Sequence, residues 1–163
     1  LQQTKAVQRW RAQVQAQVIA KEIKGKDANP DLLAAYGGLM LDLGRCRRAL
    51  SFLQRAQAMA PQNPTILNNL AWLYATSPPP YYHPDKALKL ALKAAAKESR
   101  PYVLDTLAEA YYANGDYDEA LQTIEQALAK NPQNRDYYLE QMKKFKKAVM
   151  EDKKAEALSP TAR

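Results

Sequence analysis

Residues 101–132 read PYVLDTLAEAYYANGDYDEALQTIEQALAKNP, and this stretch has the pattern of two short helices joined by a turn. Apolar residues recur in each half at spacings of three and four, which places them on one face of a helix. They are Leu104, Leu107, Ala108 and Tyr111 in the first half, and Ala120, Ile124 and Ala127 in the second. Asn114-Gly115-Asp116 between the halves is typical of a turn, and Pro101 fits the first position of a helix. The stretch therefore predicts a helical hairpin.

The same pattern occurs three times along the chain. The motif Leu33-x2-Tyr36-Gly37-x2-Met40 returns as Leu67-x2-Leu70-Ala71-x2-Tyr74 and as Leu104-x2-Leu107-Ala108-x2-Tyr111. A second half-motif follows each copy and begins at Ala49, Ala87 or Ala120. Small residues let two antiparallel helices approach closely, and larger apolar residues fill the space between them. Because one hairpin cannot bury its apolar face alone, the sequence predicts three stacked hairpins.

This pattern resembles the tetratricopeptide repeat, a helix-turn-helix unit of about 34 residues, across residues 30–134. The third copy is the closest match. All three copies have leucine where the motif usually begins with tryptophan, and the middle copy has an insertion between its helices and no closing proline. The resemblance implies an all-α fold: a right-handed α-α superhelix of three helical hairpins with extra helices at both ends.

We expect one domain over residues 1–163 because the chain is too short for two domains of ordinary size. Its predicted segments are an N-terminal helix in 1–28, repeats at 30–63, 64–100 and 101–134, a C-terminal capping helix at 135–158 and a tail at 159–163. Helices are predicted near residues 3–24, 31–43, 45–59, 65–76, 85–98, 102–113, 117–130 and 135–157.

The two end helices each carry an apolar stripe at helical spacing. The stripe is Val7, Trp10, Val14 and Val18 in the first helix, and Tyr138, Met142, Phe145 and Val149 in the last. Terminal repeats need a cap with a polar back. Both helices therefore suit a capping role.

In this family the first helices of successive repeats line a concave groove that binds peptides, so the resemblance implies a protein or peptide ligand. The matching inner positions are Ala34, Ala35, Gly38, Leu41 and Asp42 in the first copy, with Thr106 among those of the third. The candidate binding residues are Asn68, Asn69, Trp72, Thr76, Tyr102, Asp105, Glu109 and Tyr112.

The chemistry of these side chains suits an extended peptide. Asparagine amides can pair with a peptide backbone on both the donor and the acceptor side, and Trp72 and Tyr112 offer rigid apolar area. Asp105 and Glu109 would favour a basic segment. Family members that clamp a terminal carboxylate use lysine, arginine and asparagine at five positions, where this chain has Ala34, Gly38, Asn69, Tyr102 and Thr106. Only Asn69 fits, so we reject a carboxylate clamp.

Three other features have simpler interpretations. Pro78 to Tyr81 matches a Pro-Pro-x-Tyr ligand, but we interpret the insertion as a stiff connection. Cys46 follows Arg45, and we interpret it as a small apolar filler. The single histidine, His83, has neither a nucleophile nor an orienting acid. Because the sequence also has no phosphate-binding loop and no metal-ligand spacing, we expect no enzyme activity, no metal and no cofactor.

The net charge of +7 lies at the two ends of the chain. Residues 1–28 carry six Lys and Arg against two acids, residues 29–134 carry ten against ten, and residues 135–163 carry eight against five. A neutral middle does not favour nucleic-acid binding. Two alternatives to a peptide scaffold stay open: a tethering or regulatory domain of a larger protein whose basic ends, including Lys143-Lys144, lie near lipid, and a homo-oligomerisation module. A cytoplasmic location is favoured, with a domain of a membrane-associated protein as the alternative.

Overall fold

The computed structural model describes residues 2–23 and 29–158, with side chains from Ala6 onward. These residues form eight helices and contain no strand, which confirms the predicted all-α fold. The helices are α1 (Gln2–Ile23), α2 (Pro30–Asp42), α3 (Cys46–Met59), α4 (Pro64–Thr76), α5 (Pro84–Ala95), α6 (Pro101–Asn114), α7 (Tyr117–Ala129) and α8 (Arg135–Leu158). The hairpins α2–α3, α4–α5 and α6–α7 lie within the three predicted repeats. The predicted tail at 159–163 lies outside the described residues.

The helix boundaries follow from local chemistry. Helices α2, α4, α5 and α6 begin with proline, whose missing N–H costs nothing at that position. The side-chain oxygen of Asn29 accepts a hydrogen bond from the backbone N–H of Leu32 at 2.8 Å, and Asn63 caps α4 in the same way. Gly115 ends α6 with a φ of 87°, which glycine adopts at little steric cost.

The core runs through all three hairpins. Leu33, Leu67 and Leu104, which begin the three motifs, are buried. Three apolar clusters join the helices in order: the first draws on α2, α3 and α4, the second on α4, α5 and α6, and the third on α6, α7 and α8. Consecutive clusters share a helix, so the hairpins stack into one continuous superhelix.

The two end helices differ in how they meet this core. In α8, Tyr138, Phe145 and Val149 are buried, as a cap on the third hairpin requires. Helix α1 packs on the first hairpin through Ala12, Ala16 and the partly buried Ile19, Ala20 and Ile23. Its predicted stripe of Val7, Trp10, Val14 and Val18 is exposed. The expectation of a polar back on α1 is therefore wrong, because its small alanine face makes the contact instead.

Candidate peptide-binding groove

The first helices of the three hairpins lie side by side, since α2 contacts α4 and α4 contacts α6. The surface formed by the inner faces of α2, α4 and α6 is called the inner wall below. The predicted binding residues fall on α4 and α6, where they differ widely in exposure and in bonding.

On α4, four predicted residues mark a line along the helix. Asn68 is buried, and its side-chain oxygen has no hydrogen-bond partner among the described residues. Asn69 is partly exposed and its Nδ2 donates to the carbonyl of Ala34 at 3.4 Å, which ties α4 to α2. Trp72 is partly buried, and the exposed Thr76 donates its hydroxyl to the Trp72 carbonyl at 2.8 Å. Asn69, Trp72 and Thr76 are accessible to a ligand.

On α6, the two predicted acids are buried instead of exposed. Asp105 accepts a hydrogen bond from the Tyr137 hydroxyl at 2.9 Å. Glu109 accepts one from Gln141 Nε2 at 2.6 Å and forms an ion pair with Lys144. These three donors belong to α8, so the last helix holds both carboxylates at the end of the inner wall. This set of five side chains is called the α8 clasp.

The clasp contacts one of the two predicted tyrosines of α6. Lys144 Nζ lies 4.5 Å from the centre of the Tyr112 ring, a cation–π contact. Tyr112 packs against Phe145 of α8 with ring centres 5.4 Å apart. Tyr102 is exposed at the other end of α6, and its hydroxyl donates to Glu98 at 3.0 Å. Of the four predicted residues on α6, Tyr102 is therefore the most exposed to solvent.

The electrostatics of the clasp follow from its burial. Burial raises the pKa of Asp105 to about 6, and the nearby charge of Glu109 adds to this, whereas the hydrogen bonds from Tyr137 and Gln141 oppose it. Lys144 supplies the positive charge that offsets Glu109. The two acids that were predicted to attract a basic ligand are thus already bound by donors of α8. The spacing of Tyr137, Gln141 and Lys144, which places them on one face of α8, could have indicated this.

A pocket of about 520 Å³ opens where α1 crosses the beginning of the inner wall. It is lined by Val14, Gln15, Val18, Ile19, Ala35, Gly38, Leu39, Asp42 and Asn69. Ala35, Gly38, Asp42 and Asn69 are inner positions that the repeat pattern predicted, whereas the contribution of α1 was not predicted. The lining is mainly apolar, with Asp42 as its acid; burial raises the pKa of Asp42.

The proline insertion packs onto the array. Tyr81 is partly buried against the first core cluster, and the Tyr82 hydroxyl donates to the carbonyl of Ala113 at 3.0 Å. The His83 ring packs edge-on against Tyr74, with ring centres 5.5 Å apart. With Cys46 and its flanking arginines, Pro78 and Tyr81 line a second pocket of about 590 Å³, which contains none of the predicted groove residues.

Among the described residues, no group of three or more histidine, cysteine, aspartate or glutamate side chains could hold a metal ion. None of the helices in residues 2–23 and 29–158 has both the length and the apolar character to cross a membrane.

Comparison with known proteins gives one sequence match and several structural ones. The sequence profile of the tetratricopeptide repeat family matches residues 101–134, and no curated protein matches the chain. The Sgt2 TPR domain from Aspergillus fumigatus is similar with a TM-score of 0.64 and 20% identity, covering 77% of this chain and 82% of that one. MamA from AMB-1 has a TM-score of 0.55 and 22% identity, covering 100% and 96%. The thermophilic TPR protein TTC0263 from Thermus thermophilus has a TM-score of 0.53 and 20% identity, covering 91% and 94%. At these identities the structural likeness shows the fold.

Proposed function

We propose that this chain, which has the tetratricopeptide fold and matches that family's profile at residues 101–134, is an interaction scaffold that binds an extended segment of a partner along the inner wall. The tetratricopeptide fold is in general a scaffold for protein partners, and such proteins are typically not enzymes. Function still depends on the particular site, so the proposal rests on the groove of this chain.

The observation that carries the proposal is the pocket between α1 and the inner wall. Its volume of about 520 Å³ lies within the range of roughly 300–1,000 Å³ that is usual for binding sites. Gly38 leaves its floor open, and Val14, Val18 and Leu39 give it apolar sides. It therefore suits a large apolar side chain of the bound segment.

Polar and aromatic groups continue from this pocket along α4. Asn69 lines the pocket, and its amide can pair with a peptide backbone. Trp72 and Thr76 follow on the same helix, one and two turns further on. Rigid aromatic side chains such as Trp72 often dominate binding energy. We place the bound segment on α2, α4 and Tyr102, and we assign Asp105, Glu109 and Tyr112 to the wall that α8 closes.

The test is affinity capture from a lysate with four forms of the full chain. The wild type and Ser51→Ala, an exposed change on the second helix of the first hairpin, should retain the same partner. The double variant Asn69→Ala, Trp72→Ala should lose it. Gly38→Leu should also lose it, because a side chain at Gly38 points at Asn69, with the Cβ only 3.3 Å from Nδ2, and fills the pocket.

Circular dichroism should show the same helix content and a cooperative thermal transition for all four forms. A partner that stays bound to both groove variants, with the fold intact, would show that the inner wall is not the binding site.

A further inference from the structure

Helix α1 has two apolar faces that point in opposite directions. Successive residues of an α-helix are rotated by about 100°. On this basis Ala12, Ala16, Ile19, Ala20 and Ile23 share one side, and Val7, Trp10, Val14 and Val18 share the side half a turn away. The first set packs on the first hairpin, and the second set is called the outer face of α1 below.

The large apolar residues of the outer face are exposed to solvent. The exposed fraction of the residue is 47% for Val7, 62% for Trp10, 40% for Val14 and 54% for Val18. Isolated exposed apolar residues are ordinary, but four on one stripe form a continuous patch that marks a contact surface. A helix that is apolar on two opposite sides has the pattern of an internal helix in a layer, with neighbours on both sides.

The geometry of the outer face favours a helix as its occupant. Val7, Trp10 and Val14 follow the alternating spacing of three and four residues that forms the seam between two packed helices, and Val18 extends it. β-branched side chains are rigid and leave regular gaps for the side chains of a partner helix. Val14 and Val18 also line the neighbouring pocket, so the apolar contact extends past the seam.

The charges around the outer face favour an acidic occupant. Arg11 lies one turn from both Val7 and Val14, and Lys21 lies one turn beyond Val18. Neither has an ion-pair partner among the residues that the structure describes. Glu22, the one acid in the sequence of α1, lies one turn beyond Val18 beside Lys21, so the outer face carries two cations and one carboxylate. Asp42 of α2 lies on the pocket side. A second copy of this basic helix would bring like charges together.

We propose that the outer face of α1 docks an amphipathic acidic helix of a partner protein. The apolar side of that helix packs on Trp10 and the three valines, and its flanking carboxylates pair with Arg11 and Lys21. This surface shares Val14 and Val18 with the pocket of the inner wall, whereas Val7, Trp10, Arg11 and Lys21 lie outside that pocket. Its occupant would therefore bind beside the proposed groove and not along it.

Two synthetic peptides of about three heptads test the proposal. Both have leucine at the seam positions; one has glutamate at the flanking positions and its twin has lysine. Binding is measured on the full chain carrying Trp72→Phe, which leaves Trp10 as its single tryptophan. The glutamate peptide should move the Trp10 emission to shorter wavelength and bind roughly tenfold more tightly than the lysine peptide at low salt.

The sharpest variant is Arg11→Glu, Lys21→Glu, which should reverse the preference between the two peptides. The double variant Trp10→Phe, Val14→Ala, made in a chain that keeps Trp72, should bind neither peptide. Its binding is measured by calorimetry. Trp72→Ala, a groove change outside the shared pocket, should leave peptide binding unchanged, so failure of this proposal and failure of the groove proposal can be distinguished.

Three results would overturn the proposal. The first is equal affinity for both peptides, or no binding of either one. The second is a dimer of the chain alone in sedimentation that Trp10→Glu dissociates, since a second copy would then occupy the face. The third is a Trp10 emission shift with phosphatidylserine vesicles and none with the peptides, which would assign the face to lipid.

Discussion

Gly37 and Gly38 are neighbours on α2 that face different surroundings. A Cβ at Gly37 would lie 2.6 Å from Cγ of the fully buried Leu53, whereas one at Gly38 would meet only the amide end of Asn69 at 3.3 Å. Gly37→Ala should therefore lower the free energy of unfolding by about 1–3 kcal/mol through overpacking, less the gain of up to about 1 kcal/mol from helix propensity. Gly38→Ala should keep most of that gain. Urea unfolding of both variants measures the difference, and equal midpoints would show that α3 yields at Gly37.

Asp105 should make the stability of the folded protein depend on pH. Its pKa is raised from an ordinary 3.8 to about 6, so the folded state binds the proton more tightly than the unfolded state. The resulting stability is fully present below pH 4 and is lost as the pH rises through 6, on the order of 3 kcal/mol at most. Asp105→Asn should remove this loss, because the amide oxygen still accepts from Tyr137 and carries no buried charge.

The measurement is the melting temperature of wild type and variant between pH 4 and pH 8. The advantage of Asp105→Asn should grow from pH 4 to about pH 6 and level off in the upper half of this window. Asp152→Asn, an exposed change near the end of α8, is the matched control and should run parallel to the wild type. A constant difference between Asp105→Asn and wild type would contradict the buried titration.

At the scale of the element, α8 offers a matched pair of adjacent lysines. Lys144 pairs with Glu109, whose side chain is 9% exposed, whereas Lys143 pairs with Glu140, whose side chain is 71% exposed. Lys144→Ala leaves a buried carboxylate without its cation and should cost about 1–3 kcal/mol in the free energy of unfolding. Lys143→Ala should leave stability unchanged. Chemical denaturation compares the two, and equal effects would mean that solvent already screens Glu109.

The same helices show how far sequence could predict this molecule. Repeat spacing located the six helices of the hairpins and the buried Leu33, Leu67 and Leu104, because those positions obey one strong period, and apolar stripes located the two end helices. Repeat spacing did not identify which face of α1 packs on the core. Two opposite faces of α1 satisfy the same apolar period, and the face with the alanines is less hydrophobic than the face with the valines. Nor did it show that Asp105 and Glu109 turn toward α8, because bonds between α6 and α8 join residues 32 or more positions apart.

At the scale of the whole molecule, the two ends of the superhelix are finished differently. The third hairpin ends against α8, which closes the core and neutralises the acids of α6. The first hairpin ends against α1, which turns a second apolar face to solvent. The proposed groove lies between a closed end and an open one, so partner segments would enter beside α1, where the pocket lies.

Truncation separates the structural part of α8 from the rest of that helix. Tyr138 and Phe145 belong to the core of the third hairpin, whereas residues 151–158 are exposed. A chain ending at Met150 should melt as the full chain does. It loses only exposed surface and two exposed ion pairs, Lys147 with Glu151 and Lys153 with Asp118, and such pairs contribute little. A chain ending at Asn134 should bind a hydrophobic dye, aggregate and melt at lower temperature, since an uncapped terminal repeat exposes its core. Calorimetry and light scattering measure both, and a stable monomer ending at Asn134 would show that α6 and α7 close their core without α8.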